Sequence, residues 1–271
     1  MITEVVKIIK MLLNADGAKG QRVNVLIRFI WLHIRFVFQK EFIYNWVNNI
    51  RIYVTYRRRA STECYYYGLF DPEEMSIIRD SIKEGDVLVD VGANIGGYSL
   101  FAASYGAEVY AFEPAPSTFK LLERNVSINP KLAAKIHPVQ KVVSDSKGEV
   151  DFLTDLDTVN RIVSEDDPQT RESAVMKVPS VTLDAFFNSI NILKIDVEGF
   201  EKVVLGGAKT LLSKNDLKLI VLEDPDEDIV SFLSGYGFSQ CRYDIEKRCV
   251  CFNEKEVEDI RPNGIFVRCN N

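Results

Sequence analysis

An apolar run, Val87–Val91, carries an acid at Asp90 and is followed at once by a glycine-rich turn, Gly92-Ala-Asn-Ile-Gly-Gly97. Tyr98–Ala103 then reads as the first turns of a helix. Strand, glycine turn and helix in that order restrict the fold sharply. They form the opening unit of a parallel α/β sheet, with a ligand site at the carboxyl end of the strand. Glycine there supplies positive φ and lets the backbone come close to a ligand. Asn94 sits in the middle of the turn, and Asn is among the few other residues that tolerate a left-handed conformation.

A second acid narrows the ligand. Glu113 closes the next apolar run, 23 residues after Asp90. An acid about 20 residues beyond such glycines, at the tip of the second strand, reaches both ribose hydroxyls of a nucleotide. The turn departs from the dinucleotide form Gly-x-Gly-x-x-Gly, because an acid stands two residues before the first glycine. The Asp90 carboxylate repels a pyrophosphate. It suits a cofactor with a cationic end, which S-adenosylmethionine has.

Downstream, strands alternate with helices, which implies a mostly parallel sheet. The strands are Val87–Val91, Val109–Phe112, one within Ile136–Val143, Ile192–Ile195 and Leu217–Leu222. The helices are Ser117–Ser127, Phe200–Leu212 and one around Ile229–Leu233. Glu149–Leu153 reads as an antiparallel hairpin strand, and 154–172 as a long polar loop placed as a lid. Cys241–Tyr243, Cys249–Phe252 and Ile265–Val267 read as closing antiparallel strands. Asp71-Pro-Glu-Glu74 has the form of a capping box, starting a helix that Gly85 ends.

Four blocks, Asp90–Gly96, Phe112–Pro114, Val143–Asp145 and Leu193–Glu201, resemble the FkbM family of S-adenosylmethionine-dependent methyltransferases. Tyr65–Asp71 resembles the segment that precedes the first core strand in that family. The resemblance runs from about Tyr65 to about Glu223 and keeps the family's order. It implies a doubly wound, Rossmann-like class I methyltransferase fold, with helices on both faces of the sheet, and O-methylation of a sugar, glycan or secondary-metabolite hydroxyl. It implies a cofactor site of Asp90, Gly92, Ala93, Asn94, Gly96, Glu113 and Pro114. Ser144 and Asp145 would border the adenine.

The candidate catalytic groups lie at the tip of strand four. Alternation puts Lys194, Asp196 and Glu198 on one side, with Ile195 and Val197 on the other. Three ionisable groups converging at a strand end are costly unless used or paired. Asp196 is the expected contact for the acceptor hydroxyl, with Lys194 and Glu198 in support. A structural ion-pair network is the competing reading. The two histidines, His33 and His137, follow no strand end and read as packed or surface residues. The chain lacks an Asn/Asp-Pro-Pro-aromatic motif after strand four and any Pro-Cys dipeptide, which excludes two other methyltransferase chemistries. No metal site is expected; a hard cation on Asp196, Glu198 and Glu223 is the subordinate alternative.

Charge divides the chain. Residues 1–61 hold 11 Lys/Arg against 3 Asp/Glu, a net +8; the remainder holds 22 against 36, a net −14. An acidic core of that kind opposes a long nucleic-acid track. It therefore disfavours the rival reading, a ribose methyltransferase acting on RNA; a non-catalytic cofactor-fold module is the second rival. Residues 1–61 read as a basic helical extension and 62–271 as the methyltransferase domain. Two helices fill residues 1–48, and the second, Val23–Phe42, is rich in aromatics. The favoured reading is a cap packed on the domain or on another subunit, and the alternative is an amphipathic element at a membrane surface. Arg57–Arg59 reads as a solvated loop. Five cysteines with Cys249 and Cys251 one residue apart do not make a zinc module, and reduced thiols in a cytoplasmic protein are expected.

Overall fold

A computed structural model describes residues 2–154, 161–162, 174–252 and 263–269. The N-terminal part runs α1 (Ile2–Asn14), α2 (Arg22–Phe38), a hairpin of β1 (Glu41–Asn45) and β2 (Arg51–Thr55), α3 (Arg59–Tyr67) and α4 (Pro72–Ser81). The alternating part begins with β3 (Val87–Val91), α5 (Gly97–Ser104), β4 (Glu108–Phe112), α6 (Pro116–Ser127), α7 (Pro130–Ala133) and β5 (Ile136–Val139). A smaller sheet follows, made of β6 (Val142–Val143), β7 (Gly148–Thr154), β8 (Arg161–Ile162) and β9 (Ala174–Val181). The chain then forms α8 (Leu183–Phe186), β10 (Ile192–Ile195), α9 (Glu201–Gly206), α10 (Lys209–Leu212), β11 (Leu219–Glu223) and α11 (Glu227–Gly235). It closes with β12 (Phe238–Asp244), β13 (Cys249–Cys251) and β14 (Asn263–Arg268).

Among the described residues the main sheet has eight strands in the order β13-β12-β14-β11-β10-β3-β4-β5. β11, β10, β3, β4 and β5 run parallel, and β12 to β14 are antiparallel. From β3 the chain winds outward through β4 to β5, then returns to β10 on the other side of β3. That reversal opens a crevice at the carboxyl ends of β3 and β10, where such sheets bind ligands.

Both faces are covered, as the unbroken apolar strands require. Strand period two divides them. Leu88, Val109, Ile192 and Leu219 pack with α4, α5 and the N-terminal elements. Val89, Phe112, Leu193 and Ile220 pack with α9, α10 and α11. Leu12, Val25, Leu32, Ile52 and Val54 belong to the first of these clusters. The inner face of the N-terminal extension therefore shares the domain's core, which is the packing expected of a cap.

Several local readings change. The second helix stops at Phe38, and Glu41–Asn45 is a strand paired with Arg51–Thr55. Its alternation buries Phe42 and exposes Ile43, a period of two that ends the helical face. Arg59 opens α3 rather than lying in a loop. Asp71 precedes Pro72 at the start of α4, but its side chain makes no cap bond; its Oδ2 accepts the Tyr98 hydroxyl at 2.8 Å instead. That helix ends before Ile82, and Gly85 serves the turn beyond it with φ +83°. The third strand splits: β5 stays in the main sheet and Val142–Val143 crosses to the small one. β7 pairs with β9, a strand the sequence reading lacks, instead of folding back on the third strand. The lid expected over 154–172 lies outside the described residues, except Thr154 and β8, which pairs with β7. The helix expected over Phe200–Leu212 breaks into α9 and α10 at Gly207, where a Cβ would overlap the Ser144 carbonyl.

Candidate active site

The crevice holds a cavity of about 550 Å³. Its floor is made by three strand tips. At the tip of β3, the amides of Gly92 and Ala93 both donate to the Phe112 carbonyl, at 3.0 and 2.9 Å, which ties the glycine turn to β4. Asn94 takes φ +51°, the left-handed conformation the sequence suggests. Gly92 has φ +79°, and a Cβ there would overlap the Asp196 carbonyl oxygen. Its glycine is therefore required by the neighbouring strand tip, as well as by the turn.

At the tip of β4, Glu113 is buried. One carboxylate oxygen accepts the Asn94 amide at 3.0 Å and the other the Ala115 amide at 2.9 Å. Burial pushes its pKa up to about 7, against those two backbone donors. Each oxygen keeps a further lone pair for a ligand hydroxyl.

At the tip of β10, Lys194 is buried in the floor of the cavity. Its Nζ donates to Asp196 Oδ2 at 3.1 Å and lies 3.5 Å from Asp90 Oδ1. The Tyr98 ring centroid is 5.0 Å away. Burial opposes its charge, but the Asp196 and Asp90 carboxylates outweigh that and raise its pKa. Lys194 stays cationic. Asp90 is wholly buried; Oδ2 accepts the Ser99 hydroxyl at 2.6 Å, and Oδ1 has no hydrogen-bond partner among the described residues.

Beyond Asp196, Glu198 adopts φ +50° and Gly199 φ +93°, so the backbone turns back on itself. The turn brings oxygens of Asp196, Glu198 and Glu223 within 4.8 Å of one another. Three carboxylates at that distance cannot all ionise cheaply. A hydrogen bond to Asp196, burial and the Asp196 charge push Glu223 up to about 9. Burial works to raise Asp196, yet Lys194 and the Glu223 hydrogen bond leave it below the ordinary carboxylate value. Lys194 thus favours the charge on Asp196, and the proton of this carboxylate pair is pushed toward Glu223.

This has a sign in solution. Between the ordinary value of 4.5 and about 9, the native state holds a proton that the unfolded chain has released. Stability therefore falls as pH rises through that window. Glu223→Gln keeps a donor for Asp196 and removes the titration. Denaturant midpoints measured between pH 6 and 9.5 are expected to fall less steeply for the variant than for wild type. Parallel slopes would place the proton elsewhere.

The profile of the methyltransferase FkbM domain matches residues 90–243, more than half of the chain. The chain belongs to the FkbM methyltransferase family. It is similar to 31-O-demethyl-FK506 methyltransferase FkbM of Streptomyces tacrolimicus, 29% identical over 197 residues that cover 58% of this chain and 74% of the relative. It is also similar to the hexuronic acid methyltransferase AglP of Haloferax volcanii, 29% identical over 172 residues that cover 59% of this chain and 68% of the relative. A solved FkbM methyltransferase from Methylobacillus flagellatus aligns with 77% of this chain and 54% of its own length, at 13% identity and a TM-score of 0.47.

The structure gathers most of the residues that the FkbM motifs point to. Gly92, Ala93, Asn94, Glu113, Pro114, Lys194, Asp196 and Glu198 all line the cavity. Four do not. Asp90 lies beneath the floor, bonded to Ser99. Gly96, with φ +88°, packs against Leu122. Ser144 and Asp145 sit against Gly207, while Lys141, Val142 and Val143 reach the cavity instead. Sequence reasoning gave Asp71 only a capping role and Tyr98 none. Both line the cavity, and burial pushes Asp71 up to about 6. Glu223, read from the sequence only as an alternative cation ligand with Asp196 and Glu198, ends an apolar strand just as Glu113 does and lines the same cavity.

His137 pairs with Glu108 and stacks on Tyr110, and the His33 ring nitrogen Nδ1 lies 2.8 Å from the Phe29 carbonyl. Neither histidine lines the cavity.

Proposed function

We propose that this FkbM-family methyltransferase uses S-adenosylmethionine to methylate a hydroxyl of a sugar, glycan or secondary metabolite. One observation carries the reading: a buried ribose-type acid, Glu113, and Asp196, held by Lys194, face one cavity from the strand tips on either side of β3. The donor set fits the cofactor. Glu113 would hold the ribose, and the Gly92–Asn94 turn would lie along the amino-acid portion. Bound there, S-adenosylmethionine supplies an electrophilic methyl group on a sulfonium.

The chain's own groups supply the rest. Asp196 accepts the acceptor's proton as the hydroxyl oxygen is methylated, a general-base role. Lys194 keeps Asp196 ionised. Glu223 limits its basicity through a shared proton. The strand tips fix these groups relative to the turn, and positioning of that kind accounts for a large part of a transfer rate. The names of the two relatives, one concerning a 31-O position and the other a hexuronic acid, support a hydroxylated small molecule or glycan as acceptor.

The first test is binding. Purified protein is expected to bind S-adenosylhomocysteine in calorimetry, and Glu113→Ala to weaken it by about 1.5–3 kcal/mol through lost charge-assisted bonds. Unchanged affinity would move the ribose away from Glu113. The second test offers a panel of sugars, glycans and polyhydroxylated metabolites with methyl-labelled cofactor. Label transferred to an amine and to no hydroxyl would overturn the O-directed reading.

A further inference from the structure

The α2 helix has two apolar faces. Val25, Phe29, Leu32 and Phe36 point into the core. On the opposite side Val23, Leu26, Ile27, Ile30, Trp31, Ile34, Val37 and Phe38 are exposed. At 100° per residue these cover an arc of about 140° with no polar residue inside it. Arg28, Arg35 and Asn24 lie along one seam between the two faces, and Arg22 and His33 along the other. Trp31 is 63% exposed, Val37 78% and Phe38 84%, which is extreme for side chains of this size. α1 adds Ile8 and Met11, both exposed, with Lys7 and Lys10 beside them.

A soluble surface rarely carries such a stripe without a partner. The surroundings indicate which partner. A trough of about 390 Å³ lies on this face, lined by Trp31, Ile34, Phe38 and Tyr65 and by Arg35, whose guanidinium carbon lies 3.5 Å from the Phe42 ring centroid. An apolar trough with a cation at its edge matches an acyl chain under an anionic headgroup. Residues 1–39, which bear the apolar stripe, carry net +4 and residues 40–61 a further +4, while the rest of the chain carries −14, so the stripe lies on the basic part of the chain. A two-fold pairing of the same face would press two such +8 extensions together, which opposes a second copy as the occupant. No helix among the described residues is long and apolar enough to cross a membrane. An apolar arc flanked by basic residues is the pattern of a helix that lies in the plane of a membrane interface.

We propose that the outward face of α2, extended by the exposed residues of α1, docks on the surface of an anionic lipid bilayer. The turn joining these helices supplies Asn14, Ala15 and Asp16 to the wall of the methyltransferase cavity. Docking would therefore set the cavity's outer wall next to the lipid surface.

Full-length protein is tested by flotation with two kinds of vesicle, pure phosphatidylcholine and phosphatidylcholine containing about 30 mol% phosphatidylglycerol. Binding to the anionic vesicles is expected, with loss of most of it in about 0.5 M NaCl. Trp46 is buried, so the blue shift of tryptophan emission on binding is expected to come from Trp31 and to vanish in Trp31→Phe. The double variant Ile30→Asp/Ile34→Asp alters two exposed side chains. It should keep the wild-type circular dichroism and melting curve and bind vesicles at least about tenfold more weakly. Wild type that ignores both vesicles overturns the proposal, as does a folded double variant that binds like wild type. Should light scattering also show a wild-type dimer that the double variant dissolves, the occupant is a second copy.

Discussion

Asp196→Asn is expected to lower turnover by about 10²-fold or more while leaving S-adenosylhomocysteine affinity nearly intact. The substitution keeps the shape of the side chain and its contact with Lys194. It removes the charge that takes the acceptor's proton. Glu198→Gln is the companion variant, because Glu198 shares the same cluster within 4.8 Å. If Asp196→Asn works at the wild-type rate and Glu198→Gln is inactive, the base is Glu198. If both are active, the carboxylates are structural and the rate comes from positioning alone. The measurement is single-turnover methyl transfer to whichever acceptor the panel identifies, alongside calorimetry of both variants.

Lys194→Met should be the most destabilising single change at the site. The side chain is 6% exposed and faces Asp90, which is 0% exposed, as well as Asp196. Methionine fills similar space and leaves two carboxylates without their cation, one of them wholly buried. Removing one partner of a buried pair costs about 3–5 kcal/mol, because the remaining charge stays desolvated. Denaturant unfolding at neutral pH reads the loss directly. Lys194→Met/Asp90→Asn is the control: it removes the stranded charge, and much of the lost stability should return. A double variant no more stable than Lys194→Met would mean that Asp90 is not what Lys194 neutralises.

The parallel core was legible because period and punctuation agree there. Val87–Val91, Ile192–Ile195 and the strand at Leu219 are apolar runs bounded by turns or acids, and each lies within two residues of its expected bounds. The small sheet was not legible. β9 is held between β6 and β7, partners that lie across an interval of sequence that shows no periodicity. The capping box at Asp71 was read from local spacing, and a nonlocal partner, Tyr98, took the side chain. The site divides in the same way. Glu113 and Asp196 could be placed because strand tips are sequence-visible. The proton on Glu223 and the burial of Asp90 depend on distances between segments far apart in the chain, which no spacing rule encodes.

The overlap that a Cβ at Gly92 would make with the Asp196 carbonyl has a wider meaning. The Asp196 amide also donates to the Val91 carbonyl at 3.0 Å. These contacts tie the Gly92 turn and the Asp196 tip into one block. Neither can drift on its own, so the reacting ends are kept in alignment by the frame of the sheet. The outer wall, contributed by Asn14–Asp16 and α3, belongs to different segments and is free of that bond. Such a division means that a substitution in the outer wall can reshape the cavity and leave the contact between Gly92 and Asp196 in place.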